Sequence, residues 1–111
     1  MITIEKGDGV LTLINVFTVE PAKQRELISL LTSATDLSVR HVAGFISACL
    51  HRSLDGTKVT MYFQWRSIED YQAMRQNPVA APYLQQALSL AKFDPGMYAV
   101  ADTFAPEDKK G

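Results

Sequence analysis

The sequence predicts an α+β domain of the ferredoxin-like, split βαβ class, with a four-stranded antiparallel sheet. Segments rich in branched and aromatic residues alternate with apolar stripes of helical period, in the order strand, helix, strand, strand, helical pair, strand. Two of these strands are joined by Asp55-Gly56, which is typical of a tight hairpin turn because both residues tolerate positive φ. We expect a single domain over residues 1–111, with its core over residues 10–105 and a polar tail over residues 106–111.

Four segments have the composition of strands. The predicted strands are residues 10–19, 45–53, 58–66 and 97–104. The first helix opens at Glu20-Pro21, because proline suits a first helical turn, and Gly44 follows the end of that helix. The spacing i, i+3, i+4, i+7 indicates its buried face: Leu27, Leu30, Leu31 and Ala34.

Two shorter helices are predicted between the third and fourth strands. Ser67 can cap the first of them, which carries Ile68, Tyr71 and Met74 on one side. Asn77-Pro78 is predicted to be the cap and first turn of the second helix, and Asp94-Pro95-Gly96 to end it. The second helix has an apolar stripe formed by Leu84, Ala87, Leu88 and Ala91.

The composition excludes several classes of protein. Eleven basic and twelve acidic residues leave a net charge of −1, which provides no field to attract nucleic acid or an anionic membrane. No apolar run approaches the ~20 residues that span a bilayer, and the first residues lack the apolar core of a secretory signal. The lone Cys49 cannot form an internal disulfide. We therefore expect a cytoplasmic protein that binds neither nucleic acid nor membrane.

The faces of the predicted sheet indicate a homodimer. Helices in this architecture cover one face of the sheet only. The third strand turns Val59, Met61, Phe63 and Trp65 towards the helices. The first strand, however, is apolar on both faces, since Ile14 and Val16 lie opposite its other apolar residues. Because a face open to water alternates more cleanly, the uncovered face needs a partner, and a second copy is the simplest one.

Few residues of the chain are equipped for chemistry. His41 and His51 have no carboxylate or thiol at ligand spacing, so no metal site is expected. What remains is a set of polar groups on the core side of the sheet: Trp65, Tyr71 and Asn15. An amide in the middle of a buried strand costs free energy unless it is hydrogen-bonded, which makes Asn15 the most informative of the three. The structural alternative is that Trp65 and Tyr71 are core aromatics with local hydrogen-bond partners.

These residues belong to a longer pattern. The pattern comprises Val42-Ala43-Gly44-Phe45, residues 51–57 (HRSLDGT), Gln64-Trp65-Arg66-Ser67, Glu69 and Tyr71. It resembles the antibiotic biosynthesis monooxygenase family over about residues 11–104. The resemblance implies a dimeric α+β barrel with a pocket in each subunit between the helices and the sheet. It also implies oxidation of an anthrone to a quinone by O2 without metal, flavin or haem, because the deprotonated substrate supplies the electrons.

The resemblance also implies the roles of individual residues. Trp65 and Tyr71 match family positions that hydrogen-bond the oxygens of the substrate, so both are candidate catalytic residues. Related oxygenases often carry Asn four residues before the Trp, where this chain has Met61, and a helix Arg of anthrone oxidisers has no counterpart near Leu84. Asn15 is the candidate to replace that amide from the neighbouring strand. The expected apolar substrate-binding residues are Met61, Phe63, Met74 and Leu84.

Three functions stay open on the sequence. The first is a cofactor-free monooxygenase that acts on a small phenol, anthrone or quinol-like molecule. The second is a protein that binds a small apolar or aromatic molecule without converting it. The third is an isomerase or other proton-transfer enzyme, which needs a group with a pKa near the working pH, and His41 or His51 is the obvious candidate. No cofactor is expected; haem is unsupported because no His follows His51 to serve as a helix ligand.

Overall fold

The strands and helices follow the predicted split βαβ order. The computed structural model describes residues 2–107, so most of the predicted tail, residues 108–111, lies outside the described residues. The elements are β1 (Leu11–Val19), α1 (Gln24–Leu37), β2 (Phe45–Arg52), β3 (Lys58–Trp65), α2 (Ile68–Arg75), α3 (Ala81–Leu90), β4 (Ala91–Asp94) and β5 (Met97–Tyr98). One-turn 3₁₀ helices over Pro21–Lys23 and Val39–His41 flank α1. Among the described residues, no helix is both long and apolar enough to cross a bilayer.

The sheet is antiparallel, with the strand order β2-β3-β1-β4, and β5 also pairs with β1. Its two central strands are paired along their whole length, from Leu11 opposite Trp65 to Thr18 opposite Lys58. Because side chains alternate between faces with period two, the odd-numbered residues of β1 and β3 share one face. That face lies under the helices, as predicted.

The end of the chain differs from the prediction, which placed one strand over residues 97–104. The last strand begins earlier, at Ala91, and is interrupted at Pro95-Gly96 before the two residues of β5. Proline has no N–H to donate to a ladder, so pairing stops there, and the N–H of Ile14 instead donates to the carbonyl of Gly96 (3.0 Å). Asp94-Pro95-Gly96 therefore breaks a strand and does not end a helix. Residues 99–107 have no regular structure.

The predicted stripe of α3 is also corrected. Only Ala87 of this helix is buried, whereas Leu84 and Leu88 are 38% and 48% exposed and Ala91 belongs to β4. The helix begins at Ala81, after a turn in which the side chain of Asn77 accepts from the N–H of Val79 (2.9 Å). The helix is therefore short, and most of its apolar residues are partly or fully exposed to solvent.

Two hydrophobic clusters fill the space between the helices and the sheet. The Trp65 cluster consists of Leu11, Leu13, Val39, Met61, Phe63 and Trp65. The Leu27 cluster consists of Phe17, Val19, Leu27, Leu31, Val59 and Ala87. On β1 the two clusters are separated by Asn15, which lies between Leu13 and Phe17 on the same face. A polar residue therefore divides the core at the centre of its central strand.

The opposite face of the sheet carries no helix. Ile14, Val16 and Tyr62 lie half-buried at its centre. At one end the chain covers this face itself, because the side-chain amide of Gln64 donates to the carbonyl of Thr3 (2.7 Å). Tyr98, which pairs with Thr12 on this face, is 52% exposed. Phe104, in the irregular segment after β5, is 91% exposed. The face is thus partly apolar and only partly covered within one chain.

Candidate active site

A cavity of about 200 Å³ lies where the two hydrophobic clusters meet. Six of the seven predicted site residues line it: Asn15, Met61, Phe63, Tyr71, Met74 and Leu84. They come from β1, β3, α2 and α3, which explains why the sequence alone does not show them as neighbours. The other lining residues are mostly apolar. They include residues of α1, Phe93 of β4 and Pro95, which directly follows β4. The cavity therefore combines dry walls with a few polar groups, as is usual for small-molecule sites.

Asn15 and Met61 form the floor of the cavity. They are direct cross-strand partners on β1 and β3, and both are buried, with 8% and 4% of their surface exposed. Side chains opposite one another in an antiparallel pair have Cβ atoms about 5 Å apart. An amide is thus present beside the position where related oxygenases often carry Asn, although it comes from the neighbouring strand. The Oδ1 atom of Asn15 has no hydrogen-bond partner among the described residues.

Trp65 lies behind the cavity and does not line it. Its ring is fully buried and packs against Phe63 and Tyr71, whose ring centroids lie 6.5 and 6.1 Å away and which both line the cavity. Phe45 meets the same indole edge-on, at 5.7 Å and 85°. The Nε1–H group has no acceptor among the described residues. A buried donor without a partner costs about 1–3 kcal/mol, and in this structure the Tyr71 and Phe63 rings lie between this group and the cavity.

The start of α2 positions Tyr71. Ser67 caps the helix: its Oγ accepts from the N–H of Asp70 (3.1 Å) and donates to the carboxylate of Asp70 (2.9 Å). Arg66 also donates to this carboxylate (2.8 Å), and the hydrogen bonds from Arg66 and Ser67 lower the pKa of Asp70. Gly44 packs against Asp70 with φ +88°, so that no side chain fits there, and its carbonyl accepts from the N–H of Arg66 (2.8 Å). The glycine and the ion pair together fix the helix that presents the phenol.

Two polar residues of the cavity, Thr35 and Arg75, were missed by the sequence interpretation. Arg75 lines the cavity, and its guanidinium lies 6.0 Å from the centroid of the Tyr71 ring. Residues four apart lie on the same side of a helix, so the spacing from Tyr71 could have identified it.

A second, more open cavity of about 450 Å³ lies between α1 and the edge strand β2. Thr35 and Met61 line both cavities. The Met61 side chain therefore lies between the two cavities, of which the second is the more open to solvent.

Both histidines lie away from the cavity. His41 has its Nε2 atom 2.9 Å from the carbonyl oxygen of Asp36 at the surface. His51 is exposed, with its Nε2 atom 3.6 Å from the Sγ atom of Cys49, and these residues pair with Thr60 and Tyr62 on the face without helices. Neither could serve as a base for a ligand in the cavity, so the proton-transfer alternative loses its candidate. No group of three or more potential metal ligands occurs within residues 2–107.

Comparison with known protein families shows which family the chain belongs to. The profile of the family described as antibiotic biosynthesis monooxygenase matches residues 10–86. The chain belongs to this family. This match confirms the family resemblance that was inferred from the Gly-Phe, Asp-Gly-Thr and Gln-Trp motifs of the sequence.

Individual relatives agree with this assignment. The chain is 39% identical over 111 residues to tetracenomycin-F1 monooxygenase of Streptomyces glaucescens, covering 100% of this chain and 99% of the relative. The crystal structure of a monooxygenase from the gene ActVA-Orf6 of Streptomyces coelicolor, in complex with nanaomycin D, has a TM-score of 0.77 and 29% identity, covering 87% of this chain and 92% of that chain. SnoaB, a cofactor-independent oxygenase from Streptomyces nogalater, shares the fold with a TM-score of 0.77 at 22% identity, covering 89% and 99% of the two chains. These similarities support a cofactor-independent monooxygenase.

Proposed function

We propose that this protein is a cofactor-independent monooxygenase that oxidises a polycyclic phenol of the anthrone type to a quinone. The observation that carries the proposal is the floor of the cavity, where the unpartnered amide oxygen of Asn15 lies opposite Met61 between apolar walls. An apolar cavity with one orienting polar group suits a flat aromatic ring system that carries a hydroxyl group.

The reaction balances with the substrate as the only electron donor. A ring CH2 group loses a proton, the resulting carbanion reduces O2, and a new C–O bond forms at that carbon. Loss of the second C–H proton then accompanies cleavage of the O–O bond. The ring carbon becomes the C=O carbon of the quinone, and the second oxygen atom is released as water.

The cavity residues orient the substrate and stabilise its anion. Asn15 Oδ1 accepts from a phenolic hydroxyl group, while the Tyr71 hydroxyl and Trp65 Nε1 donate to the oxygen on which negative charge develops. Trp65 reaches the ligand when the ring of Tyr71 shifts aside. Fixed donors in a water-poor site stabilise a developing oxyanion more strongly than water does.

The walls keep the reacting carbon dry. Met61, Phe63, Met74 and Leu84 contact the ring system and exclude solvent from the anion. No carboxylate or imidazole is among the described residues that line the cavity, so the ring proton passes along a hydrogen-bonded substrate oxygen to water at the mouth of the cavity. The rate should then rise with pH as the substrate ionises.

The decisive experiment follows quinone formation from a simple anthrone in air with chelator-treated protein. We expect oxidation faster than the spontaneous reaction, dependent on O2, and at least tenfold slower in Trp65→Phe and Tyr71→Phe. Tyr62→Phe is the matched control, because Tyr62 lies on the same strand as Trp65 but on the other face of the sheet. No acceleration over the spontaneous reaction, or equal loss in all three variants, would overturn the proposal.

The absence of a strong base on the cavity walls specifically favours the alternative of a binding protein that leaves its ligand unchanged. In that case an anthrone would bind saturably and quench the fluorescence of Trp65, while the recovered ligand would be unaltered after incubation in air. Recovery of the quinone excludes this alternative.

The proposed functional unit is a cytoplasmic homodimer. It is supported by the helix-free face, where Ile14 and Val16 are half-buried, and by the exposed aromatic side chains of Tyr98 and Phe104. Light scattering after size exclusion should give the mass of two chains. Phe104→Asp should weaken the dimer at least tenfold, whereas Leu54→Asp, at the equally exposed hairpin tip, should not. A monomer at micromolar concentration would contradict the proposal.

A further inference from the structure

We infer that Arg75 forms an anion-binding subsite at the mouth of the cavity, and that the substrate is a polycyclic phenol bearing a carboxylate. This inference rests on the proposed function for the identity of the ring system. It adds a charged group to the substrate and a residue that selects for it.

The cavity has a defined direction. Its floor, Asn15 and Met61, is buried, whereas Arg75 and Leu84 are exposed at its other end. A ligand that directs a neutral hydroxyl group to Asn15 therefore places its opposite end beside Arg75. The polar ends of the cavity thus differ in kind: an uncharged acceptor at the floor and a cation at the mouth.

Arg75 is the one charged residue among the described residues that line this cavity. Within residues 2–107 it forms no ion pair, because the observed pairs are Lys6–Asp102, Arg40–Asp36 and Arg66–Asp70. The carboxylate nearest in sequence on its own helix, Asp70, is thus engaged by Arg66. The guanidinium keeps its hydrogen-bonding capacity for a ligand.

The side chain is also held in place. Its guanidinium lies 6.0 Å from the centroid of the Tyr71 ring, one helical turn earlier, an arrangement in which a cation is attracted to the aromatic face. A planar guanidinium presents two parallel N–H groups to a carboxylate, which a lysine cannot do. The geometry therefore favours a carboxylate over a diffuse phenolate charge.

The test measures binding, so that it does not depend on turnover. The probes are anthraquinone-2-carboxylate and its neutral carboxamide, and the signal is quenching of Trp65, which is the only tryptophan of the chain. We expect the carboxylate to bind about tenfold more tightly than the carboxamide, as for a partly exposed charge-assisted hydrogen bond. Added salt should reduce this preference.

Three variants test whether Arg75 causes the preference for the carboxylate probe. In Arg75→Met the ratio of the two dissociation constants should fall to about one, and in Arg75→Lys it should recover in part. Arg25→Met removes an exposed arginine of α1 outside the cavity and should keep the wild-type ratio. Equal weakening of both probes in Arg75→Met would indicate a structural role, and a wild-type ratio near one would also overturn the inference.

The two proposals fail separately. If the wild-type protein prefers the carboxylate but does not oxidise an anthrone, the subsite stands and the oxygenase function falls. If it oxidises a neutral anthrone but shows no preference for the carboxylate, the function stands and the subsite falls.

Discussion

The Leu27 cluster and the Trp65 cluster lie side by side on the same face of the sheet, the first under α1 and α3 and the second under α2. They differ in how their polar neighbours are satisfied. Gln24, at the edge of the Leu27 cluster, donates from its side-chain amide to the carbonyls of Ser53 (3.1 Å) and Lys58 (3.0 Å). In the Trp65 cluster the indole N–H has no partner within residues 2–107, and neither has the amide oxygen of Asn15 at its border. Folded proteins rarely leave buried polar atoms unpaired. The unpaired polar atoms thus lie on the Trp65 side of the cavity, although Phe17 and Leu31 of the Leu27 cluster also line it.

Each cluster also has its own anchor at the end of the sheet. The Leu27 end is held by the hairpin around Asp55, and the N–H of Val19 donates to the carbonyl of Thr57 (2.9 Å). The Trp65 end is held by Gly44, packed against Asp70 at the start of α2. A change at the first anchor should therefore affect stability alone, whereas a change at the second should also affect the cavity.

The largest effect on stability is expected from Leu27→Ala. Leu27 is fully buried, and removing a buried leucine side chain leaves a void that costs about 2–5 kcal/mol of unfolding free energy. Denaturant unfolding measures the loss. Because Leu27 does not line the cavity, the dissociation constant for anthraquinone-2-carboxamide should change less than threefold in the folded variant. A large loss of binding would show that the clusters do not act separately.

Gly44→Ala should lower the unfolding free energy by about 2 kcal/mol, because a left-handed backbone costs a non-glycine residue about 1–2 kcal/mol and the new methyl group overlaps Asp70. Unlike Leu27→Ala, it should also weaken probe binding at least threefold, since α2 and Tyr71 must shift. The control is Gly9→Ala, which has a similar φ (+77°) but nothing within 4 Å of the added methyl group. Equal effects of the two substitutions on probe binding would contradict the role of the anchor.

Asn15→Leu should have the opposite sign on stability. It replaces an unpartnered buried amide by an apolar side chain and joins the two clusters, so the unfolding free energy should rise by about 1 kcal/mol. Anthrone oxidation should fall more than tenfold, because the orienting acceptor is lost. Thermal unfolding and the oxidation assay check the pair of effects. A variant that is less stable than the wild type would show that the amide serves the fold.

The smallest effect is expected from the hairpin anchor in acid. Hydrogen bonds from the N–H and hydroxyl of Thr57, and from Ser53, lower the pKa of Asp55 to about 2 from 3.8. The folded protein thus holds this carboxylate ionised at a pH where the unfolded chain takes up a proton. The contribution is complete above about pH 4 and is lost as the pH falls towards 2.

Asp55→Asn should therefore reduce the urea midpoint slightly at neutral pH, and the difference from the wild type should vanish near pH 2. The effect is small because the carboxylate is exposed. A difference that stays constant down to pH 2 would contradict this account. Probe binding at neutral pH should be the same in both proteins, in contrast to Gly44→Ala.

Local signals explain which elements could be predicted. Pro21 near the start of the first helix, Asp55-Gly56 in the hairpin and Ser67 at the cap of α2 act within a few residues of their position. The structure confirms the helix start, the hairpin and the cap. The turn is not of the primed type, because Gly56 has a positive φ and Asp55 does not. Ala91 shows where such signals fail. It continues the helical spacing of Leu84, Ala87 and Leu88, but it pairs with Val19 in the sheet. Pairing with a strand more than 70 residues earlier in the chain outweighs the high intrinsic helix propensity of alanine.

The candidate site was also predictable from the sequence only in part. The polar residue in the middle of β1 could be singled out because a buried amide is unfavourable, and the resemblance supplied Trp65 and Tyr71. Their relation could not be predicted: Asn15 lies directly opposite Met61, Trp65 lies behind Tyr71, and Arg75 lies at the mouth. These positions depend on strand register and on how α2 packs over the sheet.

Periodicity and turn chemistry are local properties of the chain, so the family, the split βαβ order and the residues that face the helices could be predicted from the sequence. The division of the core by Asn15, the cavity at this division and the charged end of the cavity became visible only in the folded molecule. A cavity is a property of the space between elements. Its shape depends on side chains that are distant along the chain and become neighbours only when the sheet and helices have packed.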